Sequence, residues 1–574
     1  MIFNLIHRAC TSDESYYFQR QCAHELNLKA TVLIPSDCLE NEELLSTAKQ
    51  DHEIYGDEIG IWLSPLKHHA NTQVWLLSEQ DKQETIKYSI DRYCEIFGCA
   101  PKAVGNYVMD AQLIKYVKEY CPEVTAVIAG CFEEGVKVYH GCNNSWYLFS
   151  EGMSWNPWYP SKTHSIRPAA DEEEWAGVVA VPHLSRDLVL GYEGRNDFFA
   201  SHPANIQRGL VNDGIMHHYD YNLVDQYRMQ EDYNHGFSYY QIHVSPGWFH
   251  GNPNIMDDDE TTRRLYRETL EYLADLKKEG KLQDMHLSEF ALYYEKTIPI
   301  SNTDIGIGKD ILYGSGKHYF WIFNPDYRIL IDTFQGGSIG DFRPYIGKYA
   351  SFTGVDSDAL AMNSYPYLIQ SQYRSGIKNH HEDGARTTLF VKHGEEELDL
   401  CNYPSRIQET VREKDCVVLT LTPVELCFKD GLQITLQTIY RFVKDGEVEV
   451  IRKLLSVTDS NVKLEMTEYV KACYGFTEYP ENMKGITLYI GDKQVANYMY
   501  RGHAMVSDAE SSVTAVIPQI TTAFTLASSG IKPERAEIGE GHLFSPFYTM
   551  KLHYSVSAAQ KEVKSCLRVK RIKM

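Results

Sequence analysis

Four carboxylic side chains lie where predicted β-strands give way to helices or loops in the first half of the chain: Asp13, Glu14, Asp110 and Asp187. One carboxylate can act as a base or nucleophile, and a second, kept protonated by burial, can act as an acid. The alternative for Asp13 and Asp110 is capping of the following helix, where a side-chain oxygen accepts bonds from the first backbone N–H groups. Glu14 would then lie in the first turn, and Asp187 would form a surface ion pair with Arg186.

A histidine, His243, lies inside the apolar strand pattern YYQIHV. At neutral pH an imidazole could protonate a leaving group or hold a substrate hydroxyl. The alternative is a core histidine with satisfied hydrogen bonds. His243 completes the candidate catalytic set.

Aromatic side chains are concentrated in one proline-rich stretch. Trp155, Trp158 and Tyr159 lie beside Pro157 and Pro160, where no regular element is expected to need them. Aromatic faces pack against the C–H surfaces of sugar rings, and the alternative is a hydrophobic lid. The candidate substrate-binding residues are Trp62, Trp155, Trp158, Tyr159, His183, Arg186, Glu193, His202 and Trp248.

The first 297 residues alternate strand and helix patterns. ATVLIP is typical of a buried strand, and Ile86, Ile90 and Phe97 repeat at helical spacing up to Gly98. Such alternation indicates parallel strands joined by crossover helices. Because no glycine-rich phosphate loop follows the first strand, a closed barrel is favoured over an open sheet. Substrate would then bind at the carboxyl ends of the strands.

After residue 298 the pattern changes to short strands separated by turn dipeptides such as Asn324-Pro325. Closely spaced runs such as YRILIDT and LQITLQTIYRFV predict a large antiparallel β-sandwich over residues 298–574. Near one of its turns, Asp332, Asp341 and Arg343 could complete a site on the first domain or stabilise the contact between the domains.

The chain has 574 residues, with 56 basic and 78 acidic side chains and a net charge of −22. Nucleic acids and anionic membranes both require a basic surface, so neither is an expected partner. The 13 cysteines contain no CxxC pair, which indicates free thiols in a reducing compartment. The amino-terminal residues lack the apolar region of a signal peptide, and no segment is apolar enough for a membrane span. We therefore expect a cytoplasmic protein.

The first half resembles the polysaccharide deacetylase family, whose (β/α)7 barrels share an architecture with certain glycoside hydrolases. Thr11-Ser12-Asp13-Glu14 is similar to the Thr-x-Asp-Asp motif of the family, and Glu58-Ile59-Gly60 to the start of its metal-binding strand. Val104 to Tyr107 and Ile242-His243 stand in the places of its arginine-proline and leucine-histidine strands. The resemblance covers roughly residues 1–297 and implies that Asp13 is the base and Glu14 a metal ligand.

The histidines that would hold the metal of this family are replaced. Trp62 and Leu66 stand at their positions, and Gly105 stands at the arginine position. An indole only donates through its N–H and an aliphatic chain has no lone pair, so neither can ligate zinc. We expect no bound cofactor. A divalent metal held by a rearranged set that includes His68 and His69 is the alternative.

The second half resembles the supersandwich domains that follow such barrels in α-mannosidase-like and amylase-like glycoside hydrolases, on stretches such as Asn324 to Tyr345 and Thr467 to Ile490. The whole pattern favours a (β/α)7-type barrel followed by an antiparallel sandwich. It favours hydrolysis of an oligosaccharide or small glycoside by carboxyl groups, about 5 Å apart for retention and about 6.5–9.5 Å apart for inversion. The alternatives are a metal-dependent carbohydrate deacetylase and a catalytically inactive sugar-binding protein. A carbohydrate is the expected partner, and a homo-oligomer is left open.

Overall fold

The computed structural model divides the chain into two compact units. The first comprises Met1–Asp304 and Asp310–Gly314, and the second comprises Ile305–Lys309 and the described residues from 315 onwards. The residues that the structure describes are 1–10, 14–69, 72–107, 109–129, 154–193, 201–202, 218–244, 247–250, 258–347, 367–371, 385–473, 485–497, 504–508, 510–540 and 547–573.

A parallel sheet forms the centre of the first unit. Its strands are β1 Ile2–Arg8, β2 Ala30–Pro35, β3 Glu58–Trp62, β4 Ala103–Gly105, β5 Ala126–Ala129, β6 Val179–Pro182, β7 Tyr239–Val244 and β8 Gln283–Asp284. They follow the order β6-β5-β4-β3-β2-β1-β7, and β8 pairs with the start of β1. The strands β2 and β7 are buried along their whole length, as parallel strands covered on both faces are. The predicted (β/α)7-type barrel is confirmed.

Side chains rather than a strand ladder close the gap between β6 and β7. The Gln241 side chain donates from Nε2 to the carbonyl oxygens of Pro182 (2.7 Å) and His183 (3.0 Å). The backbone N–H of Gln241 donates to Ser185 Oγ at 2.8 Å. These bonds hold the carboxyl ends of β6 and β7 together at Gln241, two residues before His243.

Helices surround the barrel: α1 Glu14–Glu25, α2 Glu42–Tyr55, α3 Glu79–Phe97, α4 Ala111–Tyr120, α5 Leu190–Glu193, α6 Tyr219–Arg228, α7 Asp259–Lys278 and α8 Leu287–Thr297. As predicted, α3 ends at Gly98, whose φ of 69° is a conformation that glycine adopts without a steric penalty. Phe290 of α8 packs against Tyr239 at the amino end of the barrel, and Tyr294 packs against Phe290. Among the helices of the described residues, none is long and apolar enough to cross a membrane.

The second unit consists of antiparallel strands. Their bounds are β9 Asp304–Lys309, β10 His318–Phe323, β11 Arg328–Asp332, β12 Ser338–Arg343, β13 Ile369–Gln370, β14 Arg386–His393, β15 Glu396–Asp399, β16 Ile407–Arg412, β17 Cys416–Leu421, β18 Val424–Cys427, β19 Gln433–Val443, β20 Glu447–Val457, β21 Lys463–Cys473, β22 Thr487–Ile490, β23 Lys493–Asn497, β24 Ala504–Asp508, β25 Ser512–Ile517, β26 Thr522–Ser528, β27 Arg535–Glu540, β28 Phe547–Ser557 and β29 Glu562–Arg571.

These strands form three sheets. A five-stranded sheet follows the order β13-β12-β11-β10-β9, and a six-stranded sheet follows β15-β14-β21-β28-β27-β24. The ten-stranded sheet runs β16-β17-β19-β20-β29-β26-β25-β22-β23, with β18 paired to β19. Phe320 stacks on Phe442 between the first and third sheets, and Arg452 binds Glu468 between the third and second. The predicted fold class, a barrel followed by antiparallel sheets, is confirmed.

Asp332, Asp341 and Arg343 have partners inside the second unit. Asp332 accepts a bond from the backbone N–H of Phe334 at 3.0 Å and caps a short turn. Asp341 lies between Arg328 (2.9 Å) and Arg343 (3.0 Å), and all three side chains are fully buried. A role of these residues in a site or at a contact between the domains stays a prediction.

Candidate active site

Five side chains meet at the carboxyl end of the barrel, and we call them the aromatic–histidine cluster: Arg8, Trp62, Tyr107, His183 and His243. Arg8 and Trp62 are the last residues of β1 and β3, and His243 is the last but one of β7. Tyr107 and His183 follow closely after β4 and β6. The cluster thus lies where parallel barrels bind their substrates.

The two imidazoles are neighbours. The ring centroids of His183 and His243 are 4.3 Å apart, and the ring planes are 60° to each other. The indole of Trp62 lies 5.3 Å from the ring of His243 and 6.4 Å from that of His183. Tyr107 lies 5.9 Å from His183. Two predicted substrate-binding residues, Trp62 and His183, and one predicted catalytic residue, His243, are therefore in one place.

Arg8 lies on the aromatic members of the cluster. Its guanidinium carbon is 4.9 Å from the ring centroid of Trp62 and 5.0 Å from that of Tyr107, and its Nη1 donates to the Tyr107 hydroxyl. Guanidinium groups are attracted to the negative faces of such rings. Arg8 and Tyr107 are the partly exposed members of the cluster, whereas Trp62, His183 and His243 are buried.

The ring nitrogens of His183 and His243 make no hydrogen bond to any described residue, although the two residues are only 1% and 0% exposed. Burial lowers the pKa of both imidazoles well below 6.5; the His243 ring lowers that of His183 further, and Arg8 that of His243. Both rings are therefore neutral at pH 7. Leaving a buried polar group without a partner costs about 1–3 kcal/mol, so such groups need an explanation.

Three more of the predicted substrate-binding residues lie close to this cluster. After burial and His243, Arg186 lowers the pKa of His183 further. The backbone N–H of Ser201, next to His202, donates to Ser185 O at 2.8 Å. The rings of His202 and Trp248 are 4.1 Å apart and nearly perpendicular. Arg186 is held through its backbone, whose N–H and carbonyl oxygen both bond to the Tyr227 hydroxyl.

Two of the candidate catalytic carboxylates lie at helix starts. The Glu14 side chain is 70% exposed, 3.4 Å from Arg263 and 3.7 Å from His250. Asp110 is fully buried, caps α4 by accepting from Leu113 N–H at 2.7 Å, and lies 3.6 Å from Lys82. The capping alternative is therefore confirmed for Asp110. Catalytic roles for both stay predictions.

Asp187 is buried, and both of its carboxylate oxygens accept hydrogen bonds. Its Oδ1 accepts from the N–H groups of Val189 and Leu190 at 2.8 Å, and its Oδ2 accepts from the Tyr219 hydroxyl at 2.9 Å. Burial nevertheless raises its pKa to about 6. The alternative, a surface ion pair with Arg186, is wrong in one respect, because neither residue is at the surface. Asp13 and the side chain of Glu193 lie outside the described residues.

Trp155, Trp158 and Tyr159 are buried, and the last two bond to neighbouring parts of the first unit. Trp158 pairs with Ala180 of β6 through two backbone bonds, and its indole donates to Ser165 O at 2.8 Å. The Tyr159 hydroxyl donates to Ile298 O at 2.7 Å, and Trp155 is completely buried. The segment is irregular, as predicted, but Trp158 is paired with β6 and the Tyr159 hydroxyl lies 3.1 Å from Tyr294 O of α8. Their contact with a substrate stays a prediction.

No known protein family and no curated protein matches the sequence. The structure of the chain is similar to several solved structures. A candidate glycoside hydrolase/deacetylase from Parabacteroides distasonis is 13% identical, with 60% of this chain and 85% of that chain covered, at a TM-score of 0.45. The 4-alpha-glucanotransferase from Thermococcus litoralis is 11% identical, with all of both chains covered, at a TM-score of 0.30. A candidate polysaccharide deacetylase from Mycobacterium smegmatis is 11% identical, with 52% of this chain and 92% of that chain covered, at a TM-score of 0.30. The similarity is one of fold.

The two histidine positions of the resembled family hold no metal-binding side chain here. Trp62 and Leu66 are both buried. His68 lies 3.9 Å from Glu84 and His69 lies 3.5 Å from Asp81, in an exposed turn. In the described part of the chain, no third histidine, cysteine or carboxylate joins His183 and His243 within the 4.8 Å that separates ligands of one ion.

Sequence reasoning missed Arg8 and Tyr107. The alternation of β1 contains a signal for Arg8, because Ile2 and Ile6 face the barrel core and Arg8 is two residues further on the same face. No comparable signal exists for Tyr107, which follows β4 in an irregular segment.

Proposed function

We propose that this protein is a carbohydrate hydrolase, with glycoside hydrolysis as its reaction, and that the sugar binds at the aromatic–histidine cluster. The observation that carries the proposal is the pair His183 and His243, whose buried ring nitrogens make no bond to a described protein group. Four hydrogen-bonding atoms at the substrate end of a barrel are stable when a bound molecule satisfies them. The motif resemblance around Asp13 agrees with this class of chemistry.

The cluster has the chemistry that a sugar requires. A neutral imidazole donates through one nitrogen and accepts through the other, and a sugar hydroxyl also does both. The indole of Trp62 and the ring of Tyr107 offer apolar surface for the C–H face of a pyranose. Arg8 adds donors at the partly exposed side. A purely apolar ligand would leave the nitrogens of His183 and His243 without partners.

We assign the reaction to Asp13 and His243. Glycoside hydrolysis needs one group that attacks or activates water and one that protonates the leaving oxygen. Of the candidate carboxylates, Glu14, Asp110 and Asp187 already have structural partners, so Asp13 is our choice for the carboxylate. Asp13 in its protonated form would give a proton to the leaving oxygen. The neutral ring of His243, whose nitrogens like those of His183 make no bond to a described residue, would take a proton from the attacking water.

Turnover on a panel of glycosides tests the assignment. Asp13→Asn and His243→Gln should each lower kcat by roughly 10²–10⁴-fold, the usual contribution of a positioned acid or base. His393→Gln is the control, because this imidazole of the second unit is bound to Asp430 at 2.8 Å and should not affect turnover. Wild-type turnover that both barrel variants retain would refute the assignment.

A metal-dependent deacetylase is the second candidate, and the same pair of imidazoles favours it. Two adjacent neutral histidines with unpartnered nitrogens are also suitable metal ligands. The two candidates differ in their products and in their metal requirement. Acetate release that chelation abolishes and that His183→Gln and His243→Gln also abolish would establish the deacetylase. Release of a reducing sugar that chelation leaves unchanged would establish the glycosidase.

A further inference from the structure

Gln241 is a buried polar side chain directly below the aromatic–histidine cluster. It lies in the middle of β7 and is 0% exposed. Every second side chain of a strand faces the same side, so Tyr239, Gln241 and His243 share one face of β7. Tyr239 belongs to the hydrophobic core of the barrel, so this face is the interior one. Gln241 therefore lies inside the barrel, next to His243 on the side of the amino end.

The side-chain amide of Gln241 has one orientation that its neighbours allow. Its Nε2 donates to Pro182 O at 2.7 Å and to His183 O at 3.0 Å. On the other side, the Tyr239 hydroxyl lies between Gln241 Oε1 and Asn4 Oδ1, and its one proton can go to either oxygen. The reverse orientation would place Oε1 against two carbonyl oxygens, with no proton between them. The two N–H groups of the amide are thus committed to the end of β6.

The backbone of Gln241 binds the segment after β6 as well. Its N–H donates to Ser185 Oγ at 2.8 Å, and its carbonyl oxygen accepts from Ser201 Oγ at 2.5 Å. Among the strands that the structure describes, β6 and β7 are the two ends of the sheet order and share no ladder. The bonds of this one residue therefore stand where a ladder would otherwise join the two strands.

Both imidazoles are attached to this link through the backbone. His183 accepts the Gln241 amide with its own carbonyl oxygen, and His243 follows two residues later on the same strand. The ring nitrogens make no bond to a described residue, so backbone position and packing orient the two rings. Their centroid distance of 4.3 Å thus depends on the spacing of β6 and β7 at Gln241. A wider spacing would move one ring away from the other.

We propose that Gln241 is a positioning residue: its amide sets the distance between His183 and His243, so that both rings bind the same substrate molecule. The part that concerns the substrate rests on the proposed function, whereas the part that concerns the two rings does not. Gln241 itself contacts no substrate in this account and acts through the two histidines. A misplacement of about 1 Å at a reacting group can lower a rate by roughly 10²-fold, so a residue that only positions others has a measurable effect.

Gln241→Leu in the full-length protein tests the positioning role. It keeps a side chain of similar size and removes both bonds to β6. The ¹⁵N NMR signals of the His183 and His243 rings, assigned with the Gln variant of each, should both shift. On a cleaved glycoside, kcat should fall by roughly 10–100-fold and KM should change less, because a transition state is more sensitive to geometry than ground-state binding is.

Tyr93→Phe is the matched control for a general loss of packing. The Tyr93 hydroxyl is buried and donates to Ile59 O at 2.8 Å, which joins α3 to β3. Its removal deletes one buried side-chain bond to a barrel strand and leaves the link between β6 and β7 intact. This variant should keep kcat and both imidazole signals of the wild type, at a temperature at which all variants are folded by circular dichroism.

Gln241→Glu adds a pH dependence that a loss of packing alone does not give. Below its pKa, which burial raises, the introduced carboxyl donates its O–H to one of the two carbonyl oxygens and restores part of the link. Above that pKa, a carboxylate would lie against two carbonyl oxygens. The ratio of variant to wild-type kcat should therefore rise as the pH is lowered, whereas the ratio for Tyr93→Phe should stay constant.

Three results would overturn the proposal: unchanged imidazole signals in Gln241→Leu, equal effects of Gln241→Leu and Tyr93→Phe, or a kcat ratio for Gln241→Glu that does not vary with pH. If Gln241→Leu does not fold, Gln241→Glu serves instead, because its side chain has the same shape, and its imidazole signals should approach those of the wild type as the pH is lowered. A wild type that cleaves no glycoside would refute the proposed function, and the NMR comparison would still decide whether Gln241 positions the two rings.

Discussion

A Cβ atom on Gly105 would lie 2.8 Å from Cε3 of Trp62, closer than such atoms approach each other in folded proteins. The two residues are partners in the β3–β4 ladder. In the family that the first half resembles, these positions carry an arginine and a metal-binding histidine. The replacements at Trp62 and Gly105 are thus linked, because the indole of Trp62 occupies the space that a side chain at position 105 would fill. In this position the indole contacts the ring of His243.

Gly105→Ala should therefore destabilise the barrel. The added methyl group also meets Leu33 Cδ1 at 3.0 Å, so the neighbours have to shift. We expect a loss of about 1–3 kcal/mol in the free energy of unfolding, typical of an overpacked core, together with lower activity. Urea unfolding followed by tryptophan fluorescence measures it, because seven of the eight Trp residues precede residue 300. In a double-mutant cycle, Trp62→Phe should recover part of the loss; strictly additive effects would contradict the packing argument.

His243→Leu should separate stability from activity. The substitution removes two nitrogens that no described residue satisfies and leaves a side chain of similar size. The free energy of unfolding should stay the same or rise by about 1 kcal/mol, because replacing an unsatisfied polar group with an apolar one is neutral or favourable. Activity should be lost. A marked loss of stability would mean that His243 is an ordinary core residue with partners in the native protein.

The free energy of unfolding of the barrel should decrease as the pH is lowered below about 6.5. Buried imidazoles have lowered pKa values in the folded state: about 3 for His7 and His164, and well below 6.5 for His183 and His243. The unfolded chain therefore binds more protons below pH 6.5, and stability decreases by up to about 1.4 kcal/mol per pH unit for each histidine. Asp187, Asp220 and Glu295, whose pKa values burial raises, act in the opposite direction, and His286, whose pKa burial lowers, acts with the four histidines. Equal urea midpoints at pH 7.5 and pH 5.5 would contradict this.

Asp187→Asn should be tolerated above pH 6. Because burial raises the pKa of this carboxyl to about 6, its charged form is disfavoured in the folded state, and the wild type carries that cost only above its pKa. At pH 7.5 the free energy of unfolding of the asparagine variant should be at least as large as that of the wild type. As the pH falls towards 4, the wild type should gain stability relative to the variant. A loss of kcat of more than about 100-fold at unchanged stability would instead make Asp187 a catalytic acid.

Periodicity and turn residues were sufficient to predict the architecture. Apolar strands such as Ala30–Pro35 and helical spacing up to Gly98 are local signals, and local signals determine which elements form. The change to antiparallel sheets was equally visible, because short strands with turn dipeptides recur through the second half.

Contacts between distant elements were not predictable in the same way. Tyr159 reaches the end of α8 to donate to Ile298, and no spacing in the sequence indicates a partner 139 residues away. Asp110 shows the opposite case, since its cap on α4 is a local interaction that the sequence did suggest. His183 and His243 lie close together because barrel closure brings β6 beside β7, although helices separate the two strands along the chain.

A structure with a bound oligosaccharide tests the central claim most directly. Crystals of the Asp13→Asn variant soaked with a slowly cleaved glycoside should show sugar hydroxyls within hydrogen-bond distance of the ring nitrogens of His183 and His243, with the pyranose against Trp62. A sugar bound at another place on the barrel, or protein groups bonded to both imidazoles in the complex, would contradict it.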